Sequence, residues 1–362
     1  MSRPARARIN ARALQHNLLQ VKHHAPSARV MAVVKANGYG HGILNVAHAL
    51  SEADAFAVAS LEEAEQLRKA DIKHPITLLS GFFQEDELAE LASLDLVPVI
   101  HNNRQIDLIQ QYAGKPACKP IKRLWLKIDT GMHRLGLMPE QAKDALESLQ
   151  QCAGIEQIGI MSHLANADDT EDGKTTEQLE SFRRFIESFS LPCSLANSAG
   201  VLAWPETHFD WVRPGIMLYG AAPLATRTAQ ESGLQAVMTF ESEIISIKPC
   251  RKGDAIGYGG GGICPQDMNI GVIAVGYGDG YPRHAPSGTP VMINGVRAPL
   301  IGRVSMDLIT VDLRNIPEAQ VGDGAELWGE ALSVDEVAHY AETIGYELLC
   351  AVSGRVPRLL LS

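Results

Sequence analysis

Positions 30–42 read VMAVVKANGYGHG, an apolar run that ends in a lysine and a glycine-rich turn. The run Val30–Val34 holds three valines, and this composition predicts a buried strand rather than a helix. The glycines after Lys35 let the backbone approach a ligand closely. A lysine at such a strand end is either an exposed residue or a buried reactive amine. In the second case it could form a Schiff base with an aldehyde cofactor.

Similar apolar, β-rich segments recur through the first two thirds of the chain. Besides 30–34, strands are predicted at 55–59, 76–79, 96–100, 123–128, 158–162, 193–197 and 211–218. Helical segments between most of them are predicted at 44–50, 61–69, 85–93, 104–112, 139–151 and 175–189. Eight strands that alternate with helices predict an α/β fold, a (β/α)8 TIM-type barrel. An open doubly wound sheet is the alternative that periodicity alone leaves open.

The composition of the chain changes after Leu224, where a segment of small and polar residues at 225–235 suggests a linker. Strands are predicted beyond it at 240–247, 270–275, 290–296, 300–304, 308–313, 326–327 and 347–352, with one helix at 334–344. Asn294-Gly295 is typical of a type I′ hairpin turn. We therefore expect a barrel domain at 1–228 and a mainly antiparallel β domain at 229–362.

Composition excludes several classes of protein. The 362 residues carry a formal charge of −10, which argues against a nucleic-acid partner. No stretch approaches the roughly 18 apolar residues of a membrane span, so no membrane partner is expected. The six cysteines are scattered without a C-x-x-C motif and are expected to be reduced, which favours the cytoplasm. We predict no metal site.

The predicted barrel strands end in polar and charged residues, and such strand ends carry the chemistry of these barrels. These residues are Lys35, Lys127, Asp129, Arg134, His163, Asn197, Ser198 and Arg213. Together with Tyr39 and Gly215 they could hold a phosphate and one or two carboxylates.

Several motifs together resemble the bacterial alanine racemase family. They are AVVKANGYGHG at 32–42, LKIDTGMHRLG at 126–136, MSH at 161–163, NSA at 197–199, VRPGI at 212–216, IGYG at 256–259, VGYGDG at 275–280 and GRVSMD at 302–307. The resemblance implies a homodimer of barrel-plus-β-domain subunits and pyridoxal 5′-phosphate as cofactor. It also implies interconversion of L-alanine and D-alanine, which supplies D-alanine for peptidoglycan.

The resemblance further implies a role for each matching residue. Lys35 would carry the cofactor and act as one base, and Tyr258 of the partner subunit would act as the second base on the opposite face. Arg213 would face the pyridine nitrogen and, with His163, assist the tyrosine. Phosphate and cofactor contacts would come from Tyr39, Asn197, Ser198, Gly215 and Ile216. Arg134, Met306 and Tyr277 would contact the substrate, and Lys127 would be carbamylated to orient Arg134.

Other interpretations stay open at this point. The chain could be a decarboxylase of the same fold, a cofactor carrier built on the barrel, or a racemase of broader specificity. Lys127 could form a simple surface pair with Asp129. Gly354 stands where many family members have a tyrosine that reaches the phosphate, so one phosphate ligand would be missing here. The glycines after Tyr258 would loosen the loop that carries it.

Overall fold

The computed structural model describes residues 3–115 and 118–361. It begins with strand β1 (Arg6–Asn10) and helix α1 (Ala11–His24), two elements that sequence patterns did not predict. The side chain of Asn10 accepts a hydrogen bond from the Ala13 amide, and this N-cap starts the helix. Helix α1 buries Leu14, Leu18 and Val21, which lie on one face because they are spaced by about one helical turn.

Eight parallel strands close into a barrel, which confirms the predicted fold class. They are β2 (Arg29–Val33), β3 (Ala55–Val58), β4 (Ile76–Leu78), β5 (Leu96–Ile100), β6 (Arg123–Lys127), β7 (Gln157–Met161), β8 (Cys193–Ser194) and β9 (Trp211–Val212). The predictions of strands at 193–197 and 211–218 were too long. Pro214 and Gly215 follow β9, and a 3-10 helix at Ile216–Tyr219 takes the place of further strand.

Helices connect the barrel strands. They are α2 (Lys35–Tyr39), α3 (Ile43–Ala49), α4 (Leu61–Lys69), α5 (Glu87–Ser93), α6 (Asn103–Ala113), α7 (Pro139–Gln150), α8 (Lys174–Ile186) and α9 (Ser198–Ala203). Ser60 accepts from the Glu63 amide at the start of α4, and Pro139 occupies the first position of α7. Every connection between successive barrel strands contains at least one of these helices. The strands therefore run parallel, and their carboxyl ends meet at one mouth.

The second domain is a mainly antiparallel sheet. Its strands are β10 (Met238–Cys250), β11 (Ala255–Ile256), β12 (Gly262–Ile263), β13 (Met268–Ile273), β14 (Pro290–Ile293), β15 (Val296–Pro299), β16 (Ile309–Asp312), β17 (Gly324–Trp328) and β18 (Arg358–Leu361). The predicted hairpin is present, with Asn294 and Gly295 at φ of 50° and 77° between β14 and β15.

Two predicted strands of this domain were wrong. Residues 347–352 belong to a helix, α11 (Gly345–Ala351), which follows α10 (Val334–Tyr340) and buries Leu348 and Leu349. An apolar run of this length fits either structure, and packing decides it. Residues 300–304 form only one bridge, Leu300 with Val311, because Gly302 turns the backbone at φ 84°.

The first strand of the chain lies in the sheet of the second domain. Strand β1 pairs antiparallel with β10 and parallel with β18, and Ala7 and Ile9 are fully buried. Most buried apolar side chains of barrel and sheet form one continuous cluster, and a smaller cluster around Ile256 and Ile270 lies in the second domain. The boundary between residues 228 and 229 stays a prediction. Across residues 3–115 and 118–361, no helix combines the length and the apolar character needed to cross a membrane.

Candidate active site

Segment α2 (Lys35–Tyr39) is not a regular right-handed helix, because the chain turns in a left-handed sense directly after Lys35. Residues 36–39 have φ of 53°, 55°, 62° and 49°, and only one of the four is glycine. Each non-glycine residue in this region costs roughly 1 kcal/mol, so the surrounding structure has to hold the turn. The Asn37 side chain accepts from the Ile43 amide at 3.0 Å. At Gly40, an added Cβ would lie 2.0 Å from the Leu349 carbonyl oxygen, so helix α11 packs directly on the turn.

Cations gather where β2, β6 and β9 end. Burial, and next the charge of Arg134, lower the pKa of the half-buried Lys35. Burial lowers the pKa of Lys127 to about 8, and Arg213, Arg134 and Lys35 add to the effect in that order. Each of these amines is therefore less protonated near neutral pH than an exposed lysine.

Arg213 is the buried centre of this group. It is 5% exposed and donates to the carbonyl oxygens of Ser162 and Leu195 and to Ser194 Oγ. Its Nη2 lies 3.4 Å from His163 Nδ1. Burial lowers the pKa of Arg213 to about 10, so the guanidinium stays charged at neutral pH. Burial and the Arg213 charge hold the pKa of His163 well below its usual range, so this imidazole is neutral.

A small cradle lies beside the turn, at the start of the 3-10 helix Ile216–Tyr219. Ser198 Oγ accepts from the amides of Gly215 at 2.8 Å and Met217 at 3.3 Å, which leaves its own O–H free to donate. A Cβ at Gly215 would lie 2.5 Å from Tyr39 Oη. The Tyr39 ring stacks on Tyr219 with centroids 4.6 Å apart, and burial raises the pKa of Tyr39, which stays a donor. The cradle thus presents two hydroxyl groups around a side-chain-free backbone.

Asn197 and Asp129 both hold backbone turns at the mouth. Asn197 caps helix α9 by accepting from the Gly200 amide at 2.9 Å. Asp129 Oδ1 accepts from three successive amides, at residues 131–133, in the turn that leads to the exposed Arg134. No ion pair within 4 Å joins Lys127 to Asp129 in the described parts of the chain, so the simple surface pair is absent.

The predicted residues of the second domain form a separate, exposed patch. Tyr258, Tyr277 and Met306 are 71%, 39% and 54% exposed. The Tyr277 amide donates to the Ser305 carbonyl, which joins two of the segments, and the loop of Tyr258 packs beside Arg303. Within residues 3–115 and 118–361, no hydrogen bond or ion pair links Tyr258, Tyr277 or the Met306 side chain to the barrel mouth.

Sequence patterns missed three residues near Lys35. Glu63 Oε1 accepts from the Asn37 amide of the left-handed turn, Tyr219 stacks on Tyr39, and Cys350 of α11 lies within electrostatic reach of the Lys35 amine. No motif in the sequence marks Glu63 as part of the site, whereas Tyr219 follows the motif at 212–216. A cavity of 1590 Å³ extends from His163 and Asn197 past Tyr219 to Tyr346.

Comparison with known families decides what this site belongs to. Residues 9–223 match the model of the alanine racemase N-terminal domain, and residues 237–360 match that of the C-terminal domain. The chain belongs to the alanine racemase family. The predicted family is confirmed. The prediction of a racemase, and not a decarboxylase or a cofactor carrier, is confirmed as well.

Relatives of similar length support this membership. The chain is 51% identical to an alanine racemase of Nitrosococcus oceani, over 97% of this chain and 98% of the relative. It is 45% identical to the biosynthetic alanine racemase of Escherichia coli, over 96% of each. Among solved structures, the biosynthetic alanine racemase of Pseudomonas aeruginosa has a TM-score of 0.95 at 45% identity, covering 99% and 100% of the two chains.

One structural neighbour bears on the cofactor. The alanine racemase of Bartonella henselae, solved with covalently bound pyridoxal phosphate, has a TM-score of 0.90 at 31% identity, and the match covers 99% of each chain. No group of three or more metal-ligating side chains is found in the described ranges 3–115 and 118–361.

Proposed function

We propose that this chain interconverts L-alanine and D-alanine with pyridoxal 5′-phosphate on Lys35, in active sites shared between two subunits of a homodimer. The observation that carries the proposal is the group of cations at the barrel mouth, Lys35, Lys127, Arg134 and Arg213. In a chain of formal charge −10, this group favours anions. A cofactor phosphate and an amino-acid carboxylate are two such anions.

The residues present fit the cofactor. Tyr39 and Ser198 hydroxyls flank the backbone at Gly215, and the missing Cβ lets the Tyr39 hydroxyl approach this backbone, where the two hydroxyl groups could bind one phosphate. The Gly215 amide already donates to Ser198, which leaves the hydroxyl groups and the Ile216 amide as the candidate donors. When bound, pyridoxal 5′-phosphate would supply the electron sink that stabilises negative charge at the substrate Cα.

Lys35 would hold the cofactor and then move a proton at one face of the substrate Cα. Its lowered pKa supports this role, because the base form of the amine is more populated near neutral pH. Arg213 would place a fixed positive charge at the pyridine nitrogen, where it disfavours protonation of the ring. Arg134 would bind the substrate carboxylate through its planar guanidinium.

The partner subunit would complete the site. Tyr258 would move the second proton from the opposite face, assisted by the neutral His163 and by Arg213. The 71% exposure of Tyr258 in one protomer supports a role at an interface. The Met306 amide donates no hydrogen bond within the described part of the protomer, which suits a backbone contact to a substrate carboxylate across the interface. Tyr277 lies in the same patch and would line the substrate pocket.

Carbamylation of Lys127 is part of the proposal. With a pKa of about 8, this amine is neutral often enough to attack dissolved carbon dioxide, forming an N–C bond and releasing one proton to solvent. The product carries a negative charge, so it would attract Arg134 where a protonated lysine repels it. We further propose a cytoplasmic enzyme that supplies D-alanine for peptidoglycan.

Mixed dimers test the shared site. Neither Lys35→Ala nor Tyr258→Phe alone should racemise L-alanine at a useful rate. Mixing the two variants under dissociating conditions should restore about one quarter of native activity, since half the dimers are mixed and each has one intact site. Tyr340→Phe, at another exposed tyrosine, is the matched control and should be fully active. No recovery on mixing would refute the shared site.

Labelling separates the reaction types. In deuterated water, a racemase exchanges the Cα proton of L-alanine as optical rotation is lost, whereas a decarboxylase releases carbon dioxide. Relative turnover of alanine, serine and lysine distinguishes an alanine racemase from one of broader specificity, because a small pocket discriminates only weakly against one added hydroxyl.

A further inference from the structure

Glu63 joins the two strand ends nearest to Lys35. It is a half-buried residue in the first turn of α4, and its Oε1 accepts from the Asn37 amide at 3.1 Å. Its Oε2 accepts from the Ala59 amide at 3.0 Å, directly after strand β3. One carboxylate therefore fastens the left-handed turn to the neighbouring strand of the barrel.

The turn needs such a fastening. Residues 36–39 are held in a conformation that disfavours side chains, and strained backbone persists only where the surroundings determine it. Hydrogen bonds from amides to an ionised carboxylate are roughly twice as strong as neutral ones. Lys35 comes immediately before the turn, so the direction in which its side chain leaves the barrel depends on this contact.

Glu63 also supplies a carboxylate charge that interacts electrostatically with the Lys35 amine. Arg134 opposes protonation of the Lys35 amine, whereas Glu63 and Cys350 favour it. Lys127 and His163 also lie within electrostatic reach of the amine. Among these neighbours Glu63 is the only carboxylate, and its bonds to Asn37 and Ala59 keep it in place.

We propose that Glu63 is a positioning residue for Lys35, which fixes both the path of the backbone after the lysine and the charge beside its amine. The inference rests on the proposed role of Lys35 and adds a residue outside the set that binds cofactor or substrate. Glu63 acts through the amides of Asn37 and Ala59 and through its field, not by touching a reacting atom.

The decisive variant is Glu63→Gln, which keeps the shape of the side chain. Glutamine can accept only one of the two amide hydrogen bonds and carries no charge. Glu62→Gln is the matched control, since Glu62 is exposed in the same helical turn and does not act on Lys35. Glu63→Ala removes both contacts, and a thermal melt of each variant reports whether the fold survives.

The first measurement uses the protein without cofactor. Competitive acylation of Lys35 across a pH series, read by mass spectrometry, gives the pH midpoint of the amine. In Glu63→Gln that midpoint should fall, so at a fixed lower pH Lys35 should be acylated faster than in the native protein. Glu62→Gln should match the native profile.

The second measurement uses the holoenzyme. In Glu63→Gln we expect kcat to fall about tenfold with KM little changed, because the base is misplaced while the carboxylate contacts remain. The pH dependence of the cofactor's visible absorbance should shift in the same variant. An acylation profile and kcat equal to those of Glu62→Gln would overturn the proposal.

Two other outcomes are informative. Lower activity accompanied by a lower melting temperature, with an unchanged acylation profile, would make Glu63 merely structural and would also overturn the proposal. If the native protein bound no pyridoxal 5′-phosphate, the proposed function would fail, yet the acylation shift would still report the coupling of Glu63 to Lys35.

Discussion

Gly215→Ala should weaken cofactor binding through a collision with one atom. The new Cβ would lie 2.5 Å from Tyr39 Oη and 3.2 Å from its Cζ, whereas such atoms normally stay more than about 3.4 Å apart. Tyr39 would have to move by about 1 Å, away from its stacking position 4.6 Å from Tyr219. Overpacking of this kind costs about 1–3 kcal/mol, so the Kd for pyridoxal 5′-phosphate should rise by about fivefold or more.

The collision predicts a non-additive pair of substitutions. Tyr39→Phe removes the Oη atom, and its loss of one phosphate hydrogen bond should raise Kd by about tenfold. Adding Gly215→Ala to Tyr39→Phe should cost little more, because only the contact at 3.2 Å remains. The coupling energy in this double-mutant cycle should be about 1 kcal/mol.

The assay is fluorescence titration of the cofactor-free protein with pyridoxal 5′-phosphate. Gly324→Ala is the control, since an added Cβ there meets nothing within 4 Å. Strictly additive effects of Gly215→Ala and Tyr39→Phe, or unchanged binding in Gly215→Ala, would refute the geometry proposed for the cradle.

Three further outcomes are expected. Gly354→Tyr has room for its side chain, since a Cβ there meets nothing within 4 Å. If the new tyrosine supplies the missing phosphate ligand, its Kd for pyridoxal 5′-phosphate should be about tenfold lower than that of Gly354→Ala. Equal Kd values would reject that role. Lys127 should gain the mass of one carbon dioxide in bicarbonate buffer, more at pH 8 than at pH 6, and a bare amine at both would contradict carbamylation. Burial lowers the pKa of His41 to about 4, so native protein should lose about 2 kcal/mol of stability between pH 7 and 5, where only the unfolded chain takes up the proton. Urea unfolding should show that His41→Gln loses less stability between pH 7 and 5 than the native protein does. Equal losses would show that His41 is not the group responsible.

Much of the barrel site follows from sequence because the fold is regular. Parallel strands bring their carboxyl ends to one mouth, so residues such as Lys35, Lys127 and Arg213, far apart along the chain, could be expected together. The hairpin at 294–295 was equally predictable from sequence, because its turn requires two residues at positive φ and Asn-Gly is typical of such a turn.

Other features of the structure could not be predicted from the sequence. The local sequence does not predict the positive φ of Ala36 and Asn37. The turn is held by contacts of Asn37 with Ile43, at the start of the next helix, and with Glu63, 26 residues further along the chain. Helix α11 was taken for a strand because a short apolar run suits both structures, and its packing on Gly40 decides between them. The pairing of β1 joins residues separated by most of the chain, beyond the reach of any periodicity.

The placement of β1 also governs when the protein can finish folding. The ribosome makes this strand well before its two neighbours, β10 and β18 (Arg358–Leu361), which both follow the whole barrel. Until those neighbours have been made, the sheet that buries Ala7 and Ile9 is incomplete, so both side chains are exposed to non-native contacts. The sheet therefore cannot close around β1 before residues 358–361 have been synthesised.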